Sequence, residues 1–590
     1  MRSPGRPRLR RRSARALLAL LLVGCAAGAT RSQAPAADLV VLNGRIVTLD
    51  ADARVAESAA IRGGLFVAVG SESEVRRHVG RQTRVLDARG RTVVPGVIDS
   101  HVHALGVAAA EARQPFADLR SIDAIDAWVR DASARAPHGS WIWTPRVFPT
   151  RVAERRFPTR EELDAAAPHH PVVVDGAYAL MLNTAALRAA SITSVTQDPP
   201  GGAIVRTPGG EPTGLLRNVG ALLARFQPRQ SAPPLDRLEA VHRRYAEAGI
   251  TSVVERGAAV DGYRAYRELH AQERLLVRAT VTLLVQSDGT TAGTERFIRA
   301  LPARFGEGDD RLRVGPLKVI ADGGILAGTA FMRRPYGARA SHLYGVTDPG
   351  YRGFLTISSA QLQAIIRTGH RLGWQMSAHV TGDAGVDAVL DAVESAHRDA
   401  PITDRRFTLI HAYFANPETA ARAAGLGVLI DTQPAWYFKD ADALAGALGP
   451  ARLDSFIGLR TWLDGGATVV INTDHMFGLD PDRSMNPYNP FLTMYVAVTR
   501  RTETGRVMGH SQAVSPLQAL RMMTIDAARL AFDETRKGSI ETGKLGDLVV
   551  LSEDLLAVPH DRIRRITPVA TVIGGEVVYE SAQLRSQAAR

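Results

Sequence analysis

Apolar side chains are gathered into eight short runs along this chain, each of the length expected for a buried β-strand. Helical spacing of apolar residues, three and four apart, appears between and after these runs, as in EELDAAA (161–167), SAPPLDRLEAVHRRYAEAG (231–249) and SPLQALRMMTIDAARLAF (515–532). This alternation predicts an α/β fold, a (β/α)8 TIM-like barrel over residues 94–535. The eight runs are VVPGVIDSHVH (93–103), GITSVVERG (249–257), VTLLVQ (281–286), VGPLKVIADG (314–323), WQMSAHVTGD (374–383), FTLIHA (407–412), GVLIDTQP (427–434) and TVVINTD (468–474).

The two ends of the predicted barrel carry a different pattern, in which short apolar strands alternate with glycine turns. We expect β-rich segments at residues 39–93 and 536–583, with hairpin turns at Gly63-Gly64 and Gly574-Gly575. A barrel of this kind needs only about 250 residues. The excess predicts a large insert after barrel strand 1, residues 106–240, which would cap the mouth of the barrel.

The amino terminus has the pattern of a targeting segment. A basic stretch precedes the apolar run ALLALLLVG, which is too short to span a bilayer as a stable helix. Residues 1–25 are predicted to be a signal peptide of lipoprotein type, because Leu22-Val23-Gly24-Cys25 resembles a lipobox with Cys25 as the lipidated residue. Residues 26–38 form a linker. Ordinary cleavage after Ala27-Gly28-Ala29 and twin-arginine export through Arg10–Arg12 are the alternatives.

All three routes predict an exported protein of the periplasm or cell envelope. Attachment to the membrane through a lipid is expected only for the lipoprotein signal. The net charge of +12 overstates how basic the mature chain is, because seven arginines lie within residues 1–25 and leave +5 for the remainder. No basic-aromatic motif points to nucleic acid. The partner expected is a small-molecule substrate, and a homo-oligomer is compatible with the sequence.

The predicted strand ends carry the candidate chemistry. Imidazole, carboxylate and lysine side chains lie at the ends of five of the strand-like runs, and such ligands, with the lysine modified, suit zinc or a similar divalent ion. In a barrel of parallel strands these ends meet at one face, where the active site is built. The candidate metal ligands are His101, His103, Lys318, His379, His411 and Asp474.

Lys318 is the most informative of these residues. The chain has 72 basic residues but only four lysines, so arginine serves wherever charge alone is needed. A buried lysine can become a neutral amine, which arginine cannot. Such an amine can take up carbon dioxide to form a carbamate that bridges two cations. The alternative is a structural ion pair between Lys318 and Asp322.

The segment PGVIDSHVH resembles the PG-x-x-D-x-H-x-H signature of the amidohydrolase superfamily. The chain is most similar to the YtcJ-like branch (amidohydrolase family 3), and the similarity extends from about Leu39 to Glu580. Further segments that carry it are DPPGGAIVRTPGGEPTGLLR (198–217), LKVIADGG (317–324), HVTGDAGVDAVLDAVE (379–394) and GSIETGKLGDLVVL (538–551).

The resemblance implies a composite β-sandwich built from both chain ends and an amidohydrolase activity on non-peptide C–N bonds. It implies two divalent metal ions, with zinc expected. His101, His103, Lys318 and Asp474 would hold one ion, and the Lys318 carbamate would bridge to a second ion held by His379 and His411. A metal-bound hydroxide would attack the substrate, and Asp474 would be the catalytic proton carrier.

The chain departs from the family pattern at three places. Ile410 replaces a frequent glutamate before the strand-six histidine, Asn472-Thr473-Asp474 replaces G-S-D, and Asp175-Gly176-Ala177 replaces D-G-H. None of these changes removes a predicted ligand, but the last two alter residues near the expected pocket. The substrates of relatives therefore cannot be transferred to this chain.

Six further residues are candidates for contact with substrate or for support of the ligands. Trp436 and Tyr437 follow strand seven, and ordinary packing is the alternative for both. His475 and Asp322 could instead hold ligands by hydrogen bonds. The remaining candidates, Asn183 and Tyr178, lie on the insert.

Other function classes fit the sequence less well. Deaminases of the superfamily usually lack the strand-four lysine, and phosphotriesterases typically lack the terminal β-sandwich. A non-catalytic binding lipoprotein would be expected to have lost ligands. The lone Cys25 leaves no thiolate ligand in the mature chain. An acyclic or N-acyl amide is the first expectation for the substrate, and a cyclic amide or an ester is the second.

Overall fold

The computed structural model describes residues 35–228, 232–582 and 584. Short, largely buried apolar runs form strands at the start of this part of the chain. The predicted turn at Gly63-Gly64 has positive φ at both glycines, 57° and 80°. The elements before the barrel are β1 Leu39–Leu42, β2 Arg45–Val47, β3 Val55–Ala56, β4 Ser58–Arg62, β5 Leu65–Gly70, α1 Glu72–Val75, β6 Arg84–Asp87 and β7 Thr92–Pro95.

The first barrel strand leads into the insert, which contains a sheet of its own that the sequence patterns did not predict. Its strands are short, from two to six residues, and helices interrupt their sequence, so no regular strand pattern stood out. The five strands follow the order β12-β13-β11-β10-β9. This stretch comprises β8 Val97–Val102, α2 Ala104–Arg113, α3 Ile122–Arg135, β9 Ile142–Trp143, α4 Arg160–Ala166, β10 Val172–Asp175, β11 Ala179–Leu182, α5 Thr184–Ala189, β12 Ala203–Arg206, β13 Pro212–Arg217 and α6 Gly220–Leu223.

The rest of the barrel follows the insert, and strands alternate with helices as predicted. One predicted helix, residues 515–532, is divided into α18 and α19 at Thr524. The elements are α7 Leu235–Glu247, β14 Ile250–Ala258, α8 Val260–Ala271, β15 Arg278–Leu284, α9 Thr291–Arg299, β16 Leu312–Ile320, α10 Ala340–Tyr344, α11 Ser359–Arg371, β17 Met376–Val380, α12 Asp383–Asp399, β18 Thr408–His411, α13 Pro417–Gly425, β19 Leu429–Thr432, α14 Pro434–Leu448, α15 Pro450–Leu453, α16 Leu459–Asp464, β20 Thr468–Ile471, α17 Pro490–Thr499, α18 Pro516–Met522 and α19 Ile525–Leu530.

All eight predicted barrel strands are present and pair in parallel, in the order β20-β19-β18-β17-β16-β15-β14-β8. The first and last strands are joined near their carboxyl ends, where Val102 forms a parallel bridge with His475. Asp99 adds to this closure, because its carboxylate accepts a hydrogen bond of 2.5 Å from the hydroxyl of Thr473. The TIM-like barrel prediction is therefore confirmed.

Both chain ends contribute to one sandwich beside the barrel. The last strands are β21 Leu548–Leu551, β22 Pro568–Ile573 and β23 Glu576–Glu580. Strand β21 pairs antiparallel with β7, so a six-stranded sheet β23-β22-β21-β7-β2-β3 combines both ends and lies with the four-stranded sheet β5-β4-β1-β6. Apolar residues from both ends share one buried cluster, including Leu39 and Val550. This confirms the composite sandwich.

In the described part of the chain, no helix is both long enough and apolar enough to cross a membrane. The predicted signal peptide, residues 1–25 with Cys25, lies outside the described residues.

Candidate metal centre

The six candidate ligands lie at the carboxyl-terminal end of the barrel strands. His101 is in β8 and His103 follows it, Lys318 is in β16, His379 in β17, His411 ends β18, and Asp474 follows β20. Because the strands are parallel, their ends meet at one face of the barrel. All six residues are buried except His103, which is partly exposed.

Three of the ligands converge on one point. The ligand atoms of His101, His103 and Asp474 all lie within 4.8 Å of one another. The Nε2 atoms of the two histidines are 3.3 Å apart and lie 3.4 and 3.3 Å from Oδ1 of Asp474. That Oδ1 atom is buried and receives no hydrogen bond from the described residues. A buried carboxylate oxygen without a donor, facing two imidazole nitrogens, fits a divalent cation.

A second pair of imidazoles stands beside this cluster. The rings of His379 and His411 are 4.4 Å apart and nearly perpendicular, at 76°. Nε2 of His379 lies 3.2 Å from the carbonyl oxygen of Gly323, so its donation there leaves Nδ1 as the ligand atom. Nδ1 of His411 lies 2.7 Å from Oε1 of Gln433, so donation there leaves Nε2 free. These residues also fit a cation.

Burial keeps these imidazoles neutral. It lowers the pKa of His379 to about 3 and holds the pKa values of His101 and His411 well below their usual range, and the nearby Lys318 amine adds to the effect. A neutral imidazole has a lone pair to offer. His101, His379 and His411 are therefore in the form that binds metal.

Lys318 lies among the ligands without an ion pair. It is only 5% exposed, and burial lowers its pKa to about 8 against the raising effect of Asp474. Over residues 35–228, 232–582 and 584, no hydrogen bond and no ion pair involves its amine. The alternative of a structural pair with Asp322 is therefore wrong. The Asp322 carboxylate instead accepts the backbone N–H groups of Phe331, Thr381 and Gly382.

Two of the six residues proposed to contact substrate lie against the ligands. The indole Nε1 of Trp436 donates to Oδ2 of Asp474 at 2.9 Å. The hydroxyl of Tyr178, from the insert, lies 3.4 Å from Nδ1 of His379. Trp436 therefore orients the Asp474 carboxylate, and Tyr178 borders the His379 imidazole.

The other four are occupied elsewhere, and the expectation that they contact substrate is corrected. The Asp322 carboxylate is taken by the three backbone groups named above. The Asn183 side chain caps α5 and bonds the backbone of Val172. The Tyr437 hydroxyl donates to carbonyls of the segment after α17. His475 lies between the Tyr245 hydroxyl and the Gly478 carbonyl. Each of these polar groups has a protein partner, so none is available to a substrate.

Sequence reasoning missed Gln433, which links the two halves of the centre. Its side chain contacts Nδ1 of His411 and lies 3.4 Å from Nδ1 of His101. It directly follows β19, a strand assigned no ligand. Its position at a strand end on the active face was the one available signal, and glutamine is not a common metal ligand.

A buried ion pair supports the centre from below. Arg256 donates to Asp431 at 2.7 Å, and both side chains are fully buried. Asp431 also accepts hydrogen bonds from Ser100 and Asn472, the neighbours of two ligands. These contacts join the ends of four strands, β8, β14, β19 and β20, which fixes the ligands relative to one another.

A cavity of about 430 Å³ opens beside the centre. It lies at the ends of β15 and β16, and Tyr178 separates it from His379. Its wall combines apolar residues such as Leu284, Val285 and Ile320 with polar side chains such as Asp288 and Gln361, and contains no lysine, arginine or histidine. The cavity therefore suits a group that has an apolar part and no negative charge.

Comparison with known proteins gives consistent matches over almost the whole chain. Residues 84–579 match the model of a protein family described as "Amidohydrolase family". The N-substituted formamide deformylase of Arthrobacter pascens is 28% identical, with 92% of this chain and 98% of that protein covered. The protein YtcJ of Bacillus subtilis (strain 168) is 26% identical, with coverages of 91% and 99%. The resemblance to the YtcJ-like branch is thus confirmed.

The fold is shared with an uncharacterized metal-dependent hydrolase from Pyrococcus horikoshii OT3 of solved structure. The TM-score is 0.63 at 20% identity, with 89% of this chain and 99% of that chain covered. At this identity the likeness shows the architecture only.

Proposed function

This chain belongs to the amidohydrolase family and is a metal-dependent hydrolase of carbon–nitrogen bonds other than peptide bonds; from this premise we propose that it cleaves an N-substituted amide with two divalent ions, most simply zinc. The observation that carries the proposal is the buried Oδ1 of Asp474, which receives no hydrogen bond from the described residues and faces Nε2 of His101 and His103.

The ligand set divides between two ions. His101, His103 and Asp474 would hold the first, and His379 and His411 the second. Lys318 would bridge them as a carbamate, which its unpaired amine supports. The neutral amine attacks the carbon of carbon dioxide, a C–N bond forms, one C=O electron pair moves to oxygen, and the nitrogen releases a proton. The ions, when bound, supply Lewis acidity that polarises the substrate carbonyl and activates water.

The residues of the chain then handle orientation and protons. Asp474 has one oxygen held by Trp436 and the other directed at the reacting centre, so it would take up a proton and deliver it to the leaving nitrogen. Holding reacting groups close together in the right orientation accounts for a large part of the rate enhancement by enzymes. Neutral His101, His379 and His411 would act as ligands and would not compete for the proton.

The substrate class follows from the cavity beside Tyr178. Its apolar residues would hold the substituent on the amide nitrogen, and a wall that contains Asp288 but no lysine, arginine or histidine disfavours a free carboxylate there. The similarity to an enzyme named for N-substituted formamides supports a small acyl group on the other side of the bond. N-acyl amino acids are therefore expected to be poor substrates.

The test uses purified protein after metal loading in the presence of bicarbonate. Metal analysis should find close to two ions per chain, and amides with an apolar N-substituent should be hydrolysed faster than N-acyl amino acids of the same acyl group. His379→Asn is the matched variant, expected to retain the first ion and lose turnover. Full activity in wild-type protein that analysis shows to be free of metal would overturn the proposal.

For location, we propose export through residues 1–25 and lipidation at Cys25. The basic start, the short apolar run and the Leu22–Cys25 pattern support it. Cys25→Ser should release the protein from membranes or block its processing. A wild-type protein that is already soluble with Thr30 at its amino terminus would instead indicate ordinary secretion.

A further inference from the structure

The insert makes a concentrated set of contacts with the barrel through the short 3₁₀ turn Pro149–Arg151. The guanidinium of Arg151 donates to both oxygens of Asp440 in α14, at 2.9 and 2.7 Å. The hydroxyl of Thr150 donates to the same carboxylate at 2.7 Å. Asp440 is fully buried and the Arg151 side chain is 15% exposed, so water competes little with this pair.

The same guanidinium reaches two residues that hold Asp474. Its carbon lies 5.0 Å from the ring centre of Trp436, the indole that donates to Oδ2 of Asp474. Its Nη2 donates to Oδ1 of Asn486 at 3.1 Å, and Nδ2 of Asn486 donates to the backbone carbonyl of Asp474 at 2.8 Å. Side chain and backbone of Asp474 are thus both held by partners of Arg151.

Asp474 needs such support because its backbone is strained. Its φ is +50°, in the left-handed region that residues other than glycine adopt at some cost. Such a conformation persists where surrounding contacts hold it in place. Loss of one contact would let the carboxylate rotate away from His101 and His103.

We propose that Arg151 is a positioning residue: by docking the insert on the barrel it fixes Trp436 and Asn486, and through them the orientation of the Asp474 carboxylate. The barrel alone then does not complete the site, since the insert supplies the residue that locks the proton carrier. This inference rests on the proposed role of Asp474.

The test compares Arg151→Met with Arg156→Met. Arg156 is the matched control, because it forms a bidentate pair with Glu162 wholly within the insert, at 2.8 Å for both contacts. Arg151→Met should lower kcat roughly ten- to hundredfold with KM within about twofold, since misplacing a reacting group by about 1 Å has effects of that size. Arg156→Met should leave kcat unchanged. Added guanidinium ion should restore part of the activity of Arg151→Met only.

A second readout needs no substrate. Protein loaded with Co²⁺ should show a changed visible absorption band in Arg151→Met and in Arg151→Lys, and an unchanged band in Arg156→Met, because only the former move a ligand. Arg151→Lys keeps the positive charge but lacks the guanidinium that donates to both oxygens of Asp440. It therefore tests the proposal even if the methionine variant does not fold. Wild-type kcat and cobalt spectra in both Arg151 variants, or equal changes in Arg156→Met, would overturn the inference. A wild type that binds Co²⁺ but hydrolyses no amide would count against the proposed function alone.

Discussion

Two lysines of this chain are equally buried but serve different regions. Lys318 at the carboxyl end of the barrel is 5% exposed, and Lys537 near the opposite end is 6% exposed. Burial lowers the pKa of both. Lys537 forms an ion pair of 3.1 Å with Asp533, whereas no ion pair of Lys318 appears among the described residues. Burial alone therefore does not mark a lysine as functional.

The neighbours of Lys537 explain the difference. Asp533 also pairs with Arg313 at the start of β16, and Arg278 at the start of β15 donates to both oxygens of Asp547 at 2.7 and 2.8 Å. The Arg278–Asp547 pair connects the amino-terminal end of a barrel strand to the sandwich, and Asp533 connects Lys537 to the start of β16. That end of a barrel serves stability, while the carboxyl end serves catalysis. The paired lysine belongs to a stabilising network, and the unpaired one is available for chemistry.

The strongest test of this comparison is arginine at each position. Lys318→Arg should lower kcat/KM by roughly a thousandfold or more, because guanidinium cannot form a carbamate and would place a fixed cation beside two metal ions. Lys537→Arg should retain turnover, since arginine can still pair with Asp533. Steady-state kinetics and metal analysis measure both. Near wild-type turnover by Lys318→Arg would refute the bridging role.

The next test removes the amine without adding a charge. Lys318→Ala should lose metal and activity, and a short-chain carboxylic acid in solution should restore part of both, because its two oxygens can replace those of the carbamate. The same acid should do nothing for Lys318→Arg, whose side chain fills the space. Metal content and turnover with increasing acid provide the measurement. Equal responses of the two variants would contradict the carbamate.

A smaller effect is expected at Lys537 and its ion pair with Asp533. Lys537→Met should lower the free energy of unfolding by about 2 kcal/mol, since a buried pair is broken but Asp533 keeps Arg313. Turnover per metal-loaded molecule should not change. Chemical denaturation and kinetics on the same samples separate the two quantities. A fall in kcat at unchanged stability would show that Lys537 also contributes to catalysis.

The smallest effect concerns pH and His242, which lies in α7 and contacts Tyr266. His242 is fully buried, and burial lowers its pKa to about 3 from 6.5. The unfolded chain binds its proton first as pH falls, so the stability due to neutral His242 is present above pH 6.5 and is lost towards the folded pKa. His242→Gln should reduce the loss of unfolding free energy between pH 6.5 and about 5 by roughly 1.5 kcal/mol. Equal slopes of the unfolding free energy against pH for the wild type and for His242→Gln would contradict this expectation.

The barrel and its candidate ligands could be predicted from sequence because both follow from local pattern. An apolar run predicts a strand, and parallel strands place their last residues at one face, so His101, Lys318 and Asp474 were expected to meet without any knowledge of loop paths. The glycine pair Gly63-Gly64 predicted a turn, because the backbone at both positions has positive φ, which glycine adopts most easily.

The sheet of the insert and the partners of individual polar groups were decided only by tertiary structure. Asp322, Asn183 and His475 stand near predicted ligands or on the insert, yet each is satisfied by its own backbone or side-chain neighbour. The link from Arg151 to Asp440 spans almost three hundred positions of chain, and that from Gln433 to His101 spans more. A side chain binds whatever group the fold brings within about 3 Å, and sequence order does not record that distance.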